Sequence, residues 1–118
     1  IAEIAGEDAA KARFLVDYPE AQIARVILSA DRRDAVLELE DGHVGMVHAV
    51  GSNYLTRFVN RGEMAAVPSA GEDGAVDLDT GDITWPRAQM HFADDETARA
   101  VAGMFASTLD QPANKRAA

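Results

Sequence analysis

Val36-Leu37-Glu38-Leu39-Glu40-Asp41-Gly42-His43-Val44-Gly45-Met46-Val47-His48-Ala49-Val50 is the stretch that decides the fold. From Val36 to Glu40 apolar and polar residues alternate, placing Leu37 and Leu39 inward and Val36, Glu38 and Glu40 outward. Asp41-Gly42 then marks a tight reversal, because glycine accepts the positive φ that a hairpin loop demands. His43 to Val50 returns as a second strand, with Val44, Met46, His48 and Val50 on one face. Two strands joined this closely point to an antiparallel sheet.

Upstream, Gln22 to Ser29 is dense in β-branched residues and reads as a third strand. Strict alternation sends Ala24, Val26 and Leu28 one way and Ile23, Arg25 and Ile27 the other. Asp31-Arg32-Arg33-Asp34 reads as the turn that completes a meander. Before it, Glu7 to Val16 is rich in alanine and straight side chains and predicts a helix that Pro19 ends. Glu7 and Asp8 suit its first turn, where the helix dipole favours negative charge.

Downstream, Gly51 breaks the sheet. Ser52 predicts the cap of a short helix from Asn53 to Asn60, with Tyr54, Leu55, Phe58 and Val59 as its apolar stripe and Gly62 as its stop. Met64 to Val67 reads as a short strand, and Pro68 to Gly74 as the loop expected to move most. Val76 to Asp79 and Asp82 to Trp85 predict a second hairpin around Thr80-Gly81, closed by Pro86. Met90 and Phe92 extend the core. Asp94 or Asp95 caps a final helix whose apolar face is Ala98, Val101, Ala102, Phe105 and Leu109, and Pro112 ends it. The expected architecture is α+β: a small antiparallel sheet, meander plus hairpin, packed by N-terminal and C-terminal helices. Residues 1–110 are expected to form a single domain, and residues 111–118 a flexible tail that frays.

Composition narrows the function. The chain has 118 residues, 47% of them hydrophobic, which suits a globular core. Its apolar runs, Val26-Ile27-Leu28 among them, are far short of a membrane span. Ile1 to Glu7 carries two glutamates and no basic cluster, unlike a signal peptide. Cysteine is absent, which excludes thiolate chemistry and suits a reducing cytoplasm. Twenty acids face eleven bases, a formal net charge of -9, and residues 1–110 alone stand at -11. Such a body repels phosphate, so direct nucleic-acid binding is not expected. Solubility accounts for the charge, and so does attraction to a partner protein with a basic surface.

Catalytic signatures are missing. His43 and His48 are five apart, so a strand points them to opposite faces, and neither they nor His91 show zinc-ligand spacing. Asp77-Leu78-Asp79-Thr80-Gly81-Asp82 has some look of a calcium loop, but glycine stands fifth rather than sixth and Ala88 fills the twelfth position. Solvent-facing aspartates on a hairpin explain it better. No nucleophile-elbow pattern surrounds Ser52, Ser69 or Ser107. Arg57 and Arg61, four apart on the expected short helix, suit gripping a carboxylate or phosphate or pairing with nearby acids. Trp85 is expected as the main core aromatic beside Ile83, with partner anchoring as the alternative. No cofactor and no metal is expected.

Val36-Leu37-Glu38-Leu39-Glu40-Asp41-Gly42, followed by Gly81-Asp82-Ile83-Thr84-Trp85-Pro86 and a short C-terminal helix, resembles the family called domain of unknown function 2442. The likeness covers about residues 22–105. Members often carry an acidic run soon after Trp-Pro. Here Gln89-Met90-His91 stands there, and the acids follow at Asp94-Asp95-Glu96. The resemblance implies a compact α+β fold and a bacterial or phage setting beside toxin–antitoxin genes; it carries over no catalytic residue.

The expected function is a non-catalytic, acidic protein-binding module, antitoxin-like or a regulatory accessory. One alternative is a phage-encoded inhibitor of the anti-CRISPR type, blocking a basic nucleic-acid channel. Its contact residues would be Glu38, Glu40 and Asp41 on one hairpin and Asp77, Asp79 and Asp82 on the other. A second alternative is a small metal-dependent or histidine-based hydrolase using His48 or His91. Pairing of sheet edges in a homodimer is compatible with each.

Overall fold

The computed structural model describes residues 3–59, 65–69, 73–82 and 85–105, with backbone alone over 80–82 and 85–88. The architecture is α+β, with two small antiparallel sheets and two helices among the described residues. The chain divides into two compact units, Ile1–Val59 and Asn60–Ala118.

The first unit opens with α1 (Glu7–Asp17), which starts after Gly6 without a side-chain cap and places Glu7 and Asp8 in its first turn. Four strands follow: β1 (Ile23–Leu28), β2 (Asp34–Leu39), β3 (Val44–Val50) and β4 (Asn53–Val59). They pair in sequence order as an antiparallel meander. The expected hairpin at Asp41-Gly42 is present. Gly42, at φ 92, donates its N–H to the Leu39 carbonyl, and Leu39 N–H donates to the His43 carbonyl. Asp34, read as a turn residue, instead begins β2 and is buried.

α1 lies over one sheet face. Phe14 is fully buried and packs with Ala10, Val26, Ala35, Leu37, Leu39 and Val47, while Tyr18, Ile23, Tyr54 and Phe58 close around them. The Phe14 ring passes so near Gly45 that an added Cβ there would stand 2.5 Å from Cζ, which explains a glycine in mid-strand. Ile23, expected opposite Val26, joins the same core because a bulge between Ile23 and Arg25 shifts the register by one residue. Val36, expected outward, is fully buried, as are Val44 and Met46. β2 and β3 are interior strands whose two faces are both shielded, so alternation marked the faces correctly but not their exposure.

The short helix expected from Asn53 to Asn60 is not formed over Asn53–Val59, which is β4; Asn60 lies outside the described residues. Val50 pairs with Asn53 across a two-residue loop whose Gly51 has φ 59, the left-handed geometry that Gly-Ser supplies in tight hairpins. The positions that suggested a helical stripe belong to two strand faces: Tyr54, Thr56 and Phe58 on one, Leu55, Arg57 and Val59 on the other. Aromatic and β-branched side chains extend the sheet, and the turn chemistry overrides the apparent helical spacing.

In the second unit β5 (Ala65–Pro68), β6 (Ala75–Asp82) and β7 (Trp85–His91) form an antiparallel sheet in that order. The second hairpin is present, but β6 continues through Thr80-Gly81, and the chain reverses between Asp82 and Trp85. An irregularity between Asp79 and Asp82 accommodates the extra length. Pro86 therefore lies inside β7 rather than closing a strand. Met90 and Phe92 are buried, as expected for core positions, and so are Val76 and Leu78.

Residues 95–105 are helical and form α2, with Ala98, Val101, Met104 and Phe105 buried. Asp94 caps it: one carboxylate oxygen accepts the Thr97 N–H and hydroxyl, both at 2.8 Å. These bonds hold the Asp94 carboxyl below its ordinary pKa, the backbone bond contributing most. Gly62, Met64, Gly71, Ile83, Ser107, Leu109, Pro112 and the 111–118 tail lie outside the described residues, as do the Trp85 and Asp82 side chains. No helix among the described residues is long and apolar enough to cross a membrane.

Candidate partner-binding cleft

Two turns of the first unit stand side by side and enclose a cleft. Helix α1 ends at Tyr18, whose N–H donates to the Phe14 carbonyl. Pro19 then suits the second position of a turn that Ala21 N–H closes by donating to the Tyr18 carbonyl. The β2–β3 turn approaches from the other side, and Glu40 N–H donates to the Gln22 carbonyl at 2.9 Å. Between them lies an open cleft of about 630 Å³. Its walls are Tyr18, Leu39 and Phe58, and four carboxylates line it: Asp17, Glu20, Glu40 and Asp41. No basic side chain among the described residues does.

The aromatic wall is rigidly built. Phe14 stacks on Tyr18 at 4.8 Å between ring centroids, Tyr18 meets Phe58 at 5.7 Å, and His43 meets Phe58 at 4.9 Å. The row starts in the core at Phe14 and surfaces at the half-buried Tyr18 and Phe58.

The four acids differ in their partners. Asp17 accepts from the Thr56 hydroxyl and from Arg13 at 3.0 Å. The Thr56 bond, then that of Arg13, draws its carboxyl below the ordinary pKa against the opposing effect of desolvation. Asp41 accepts the His43 N–H at 2.9 Å; its second oxygen lies 3.0 Å from His43 Nδ1, at an angle too poor for a hydrogen bond. The exposed carboxylates of Glu20 and Glu40 have no hydrogen-bond or ion-pair partner among the described residues. The cleft is thus an aromatic concavity whose negative charge Arg13 offsets at Asp17 and no described residue offsets at Glu20 and Glu40.

The other sequence-predicted residues lie elsewhere. Glu38 pairs with Arg25 across β1 and β2 at 3.3 Å, away from the cleft lining. Asp77 and Asp79 are exposed on one face of β6, beside a smaller hollow of about 290 Å³ that Ala65 and Val67 also line. Asp77 accepts from Gln89 at 2.8 Å. Arg57 is half-buried on β4 opposite Met46 rather than on a helix, and Arg61 lies outside the described residues. Glu40 and Asp41 are the two predicted residues that reach the cleft. Asp17, Tyr18, Glu20 and Phe58 were missed. Asp17 did leave a signal: an acid in the last turn of a helix with no base there opposes the dipole.

His48 Nδ1 lies 2.6 Å from Oδ1 of the buried Asp34. The nearby Ser29 hydroxyl donates to Asp31 at 2.7 Å and accepts Asp34 N–H at 3.0 Å, which engages it in a turn rather than in a serine–histidine relay. The arrangement ties the β1–β2 turn to β3. Among the described residues, no three His, Asp or Glu side chains gather as a metal site. No protein-family model, no curated protein and no solved structure matches the chain.

Proposed function

We propose that the chain is a non-catalytic binding module that captures a positively charged surface or segment of a partner protein. The observation that carries this reading is the cleft between α1 and the β2–β3 turn: aromatic walls, four carboxylates and no lining base. In such a concavity the low-dielectric walls concentrate the field, so a cation is drawn in and a phosphate is turned away. The volume suits a few side chains rather than a single ion. Lack of cysteine fits work in a reducing cytoplasm.

The test is association with an immobilised basic peptide of mixed lysine and arginine, with an equally acidic unfolded polypeptide as control. The folded chain is expected to bind more tightly than that control, with an on-rate that drops on the order of tenfold as salt rises through several Debye-length steps. Affinity no better than the control's would reduce the charge to a solubility device and remove the proposal.

A further inference from the structure

We infer that the cleft is a subsite for an arginine side chain of the partner, stacked on Tyr18 and Phe58 and held by Glu20 and Glu40. This rests on the binding-module reading and specifies its ligand.

Three features of the site select the chemistry. First, Tyr18 and Phe58 both line the cleft, their ring centroids 5.7 Å apart and their planes inclined at 39°, so two aromatic side chains border the site. A planar guanidinium stacks on an aromatic face, whereas an ammonium is a compact, strongly hydrated point charge that gains less there. Second, Glu20 and Glu40 project from separate turns that the Glu40–Gln22 backbone bond holds together. Neither has an internal partner among the described residues, so a guanidinium with five donors can meet one or both without displacing a bond the fold already makes. Third, Asp17 and Asp41 already accept bonds from Thr56, Arg13 and His43. They supply fixed negative potential behind the site rather than the gripping atoms.

The occupant is a protein segment and not a free small cation, because the cleft is several times larger than one guanidinium and opens to solvent. Neighbouring backbone and side chains fill the remainder. Nucleic acid is excluded by the sign of the charge.

The experiment uses the full chain with three eight-residue peptides identical except at one central position: arginine, lysine or citrulline, the last keeping the shape of arginine without its charge. Affinity is read by calorimetry, and the Tyr18 and Phe58 ring signals are followed by NMR. The arginine peptide is expected to shift both rings and to bind about two- to fivefold more tightly than the lysine peptide. Citrulline is expected to lose measurable binding. Glu20→Gln combined with Glu40→Gln, both exposed and without an internal bond for the fold to lose, is expected to weaken the arginine peptide about five- to tenfold. Equal affinity for arginine and lysine, or for arginine and citrulline, overturns the inference. So does binding that ignores the double variant or leaves the ring signals unmoved; the module reading then survives with its contact elsewhere. Failure of every basic peptide to bind removes both.

Discussion

Gly45→Ala tests how α1 is seated on the sheet. An added Cβ would stand 2.5 Å from Phe14 Cζ and 2.6 Å from Cε1. Ordinary carbon contacts are about 3.5–4.0 Å, so the ring must retreat by about 1 Å. It has little room, being fully buried and stacked on Tyr18. Overpacking of this kind costs about 1–3 kcal/mol. Against it, replacing glycine reduces the freedom of the unfolded chain and contributes about 0.4–1 kcal/mol. The net expectation is a loss of about 1–2 kcal/mol. Urea unfolding followed by circular dichroism measures it, with an unchanged m-value assigning the change to stability. Phe14→Leu removes the clashing end of the ring and alone costs about 1–2 kcal/mol. If the contact is real, the double variant is less unstable than the two losses together by about 1 kcal/mol. Losses that add within about 0.5 kcal/mol, or a Gly45→Ala chain more stable than the parent, would refute the seating of Phe14 over Gly45. Because Phe14 supports Tyr18, the single variant should also weaken the basic peptide, and Phe14→Leu should restore part of that loss.

Asp34→Ala strips His48 of a buried acceptor and should cost about 1–3 kcal/mol in urea unfolding, with Asp34→Asn less harmful because it keeps the shape and an acceptor. A neutral Asp34→Ala would mean that the pair does not tie the turn to β3. The Asp17 carboxyl is held below its ordinary pKa by Thr56 and Arg13, so its contribution is complete above the unfolded value and fades as pH falls through the folded one. The melting-temperature gap between parent and Asp17→Asn should therefore be constant at neutral pH and shrink below about pH 4; a gap that widens in acid has the wrong sign. Gly74→Ala meets both a left-handed φ of 82 and a carbonyl oxygen of Phe92 at 2.6 Å. It should destabilise by more than about 1 kcal/mol. Gly103→Ala in α2 meets nothing within 4 Å and should instead stabilise the helix by about 0.5–1 kcal/mol, so equal thermal shifts for the two would discredit the local geometry.

The β2–β3 hairpin was legible because three signals agree there: alternation, an Asp-Gly turn and flanking β-branched residues. Legibility failed where signals compete. At 53–59 the apolar spacing fits a helix and a two-faced strand equally, and only the Gly51-Ser52 turn decides between them. At Thr80-Gly81 a turn dipeptide is carried inside a strand because the pairing irregularity after Asp79 absorbs it. Ile23 shows the limit of period-two reasoning, since one bulged residue reassigns its face. The cleft was half legible. Glu40 and Asp41 belong to the hairpin the sequence announces. Tyr18, Glu20 and Phe58 reach them only through a tertiary approach of two turns, recorded in the single backbone bond from Glu40 to Gln22.

The total charge cannot separate a solubility device from a binding surface, but the partners of each acid can. Glu7 and Asp8 sit where a helix dipole favours them, and Asp94 caps a helix. Asp34 meets His48, Asp31 organises a turn through Ser29, and Asp17, Glu38 and Asp95 pair with arginines. Each has a local structural reason that would hold with no partner present. Glu20 and Glu40 have none among the described residues, yet they flank an aromatic cleft that already holds two other carboxylates. Arg13 compensates Asp17, but Glu20 and Glu40 add like charge around one concavity, and the repulsion between like charges there is relieved when a cation enters. Glu20→Gln with Glu40→Gln is therefore expected to stabilise the free chain slightly while weakening the basic peptide, opposite effects that a purely solubilising charge cannot produce. Unfolding and binding measured on that one variant distinguish the two: if stability and affinity fall together, the acids serve the fold and the cleft loses its claim to a partner.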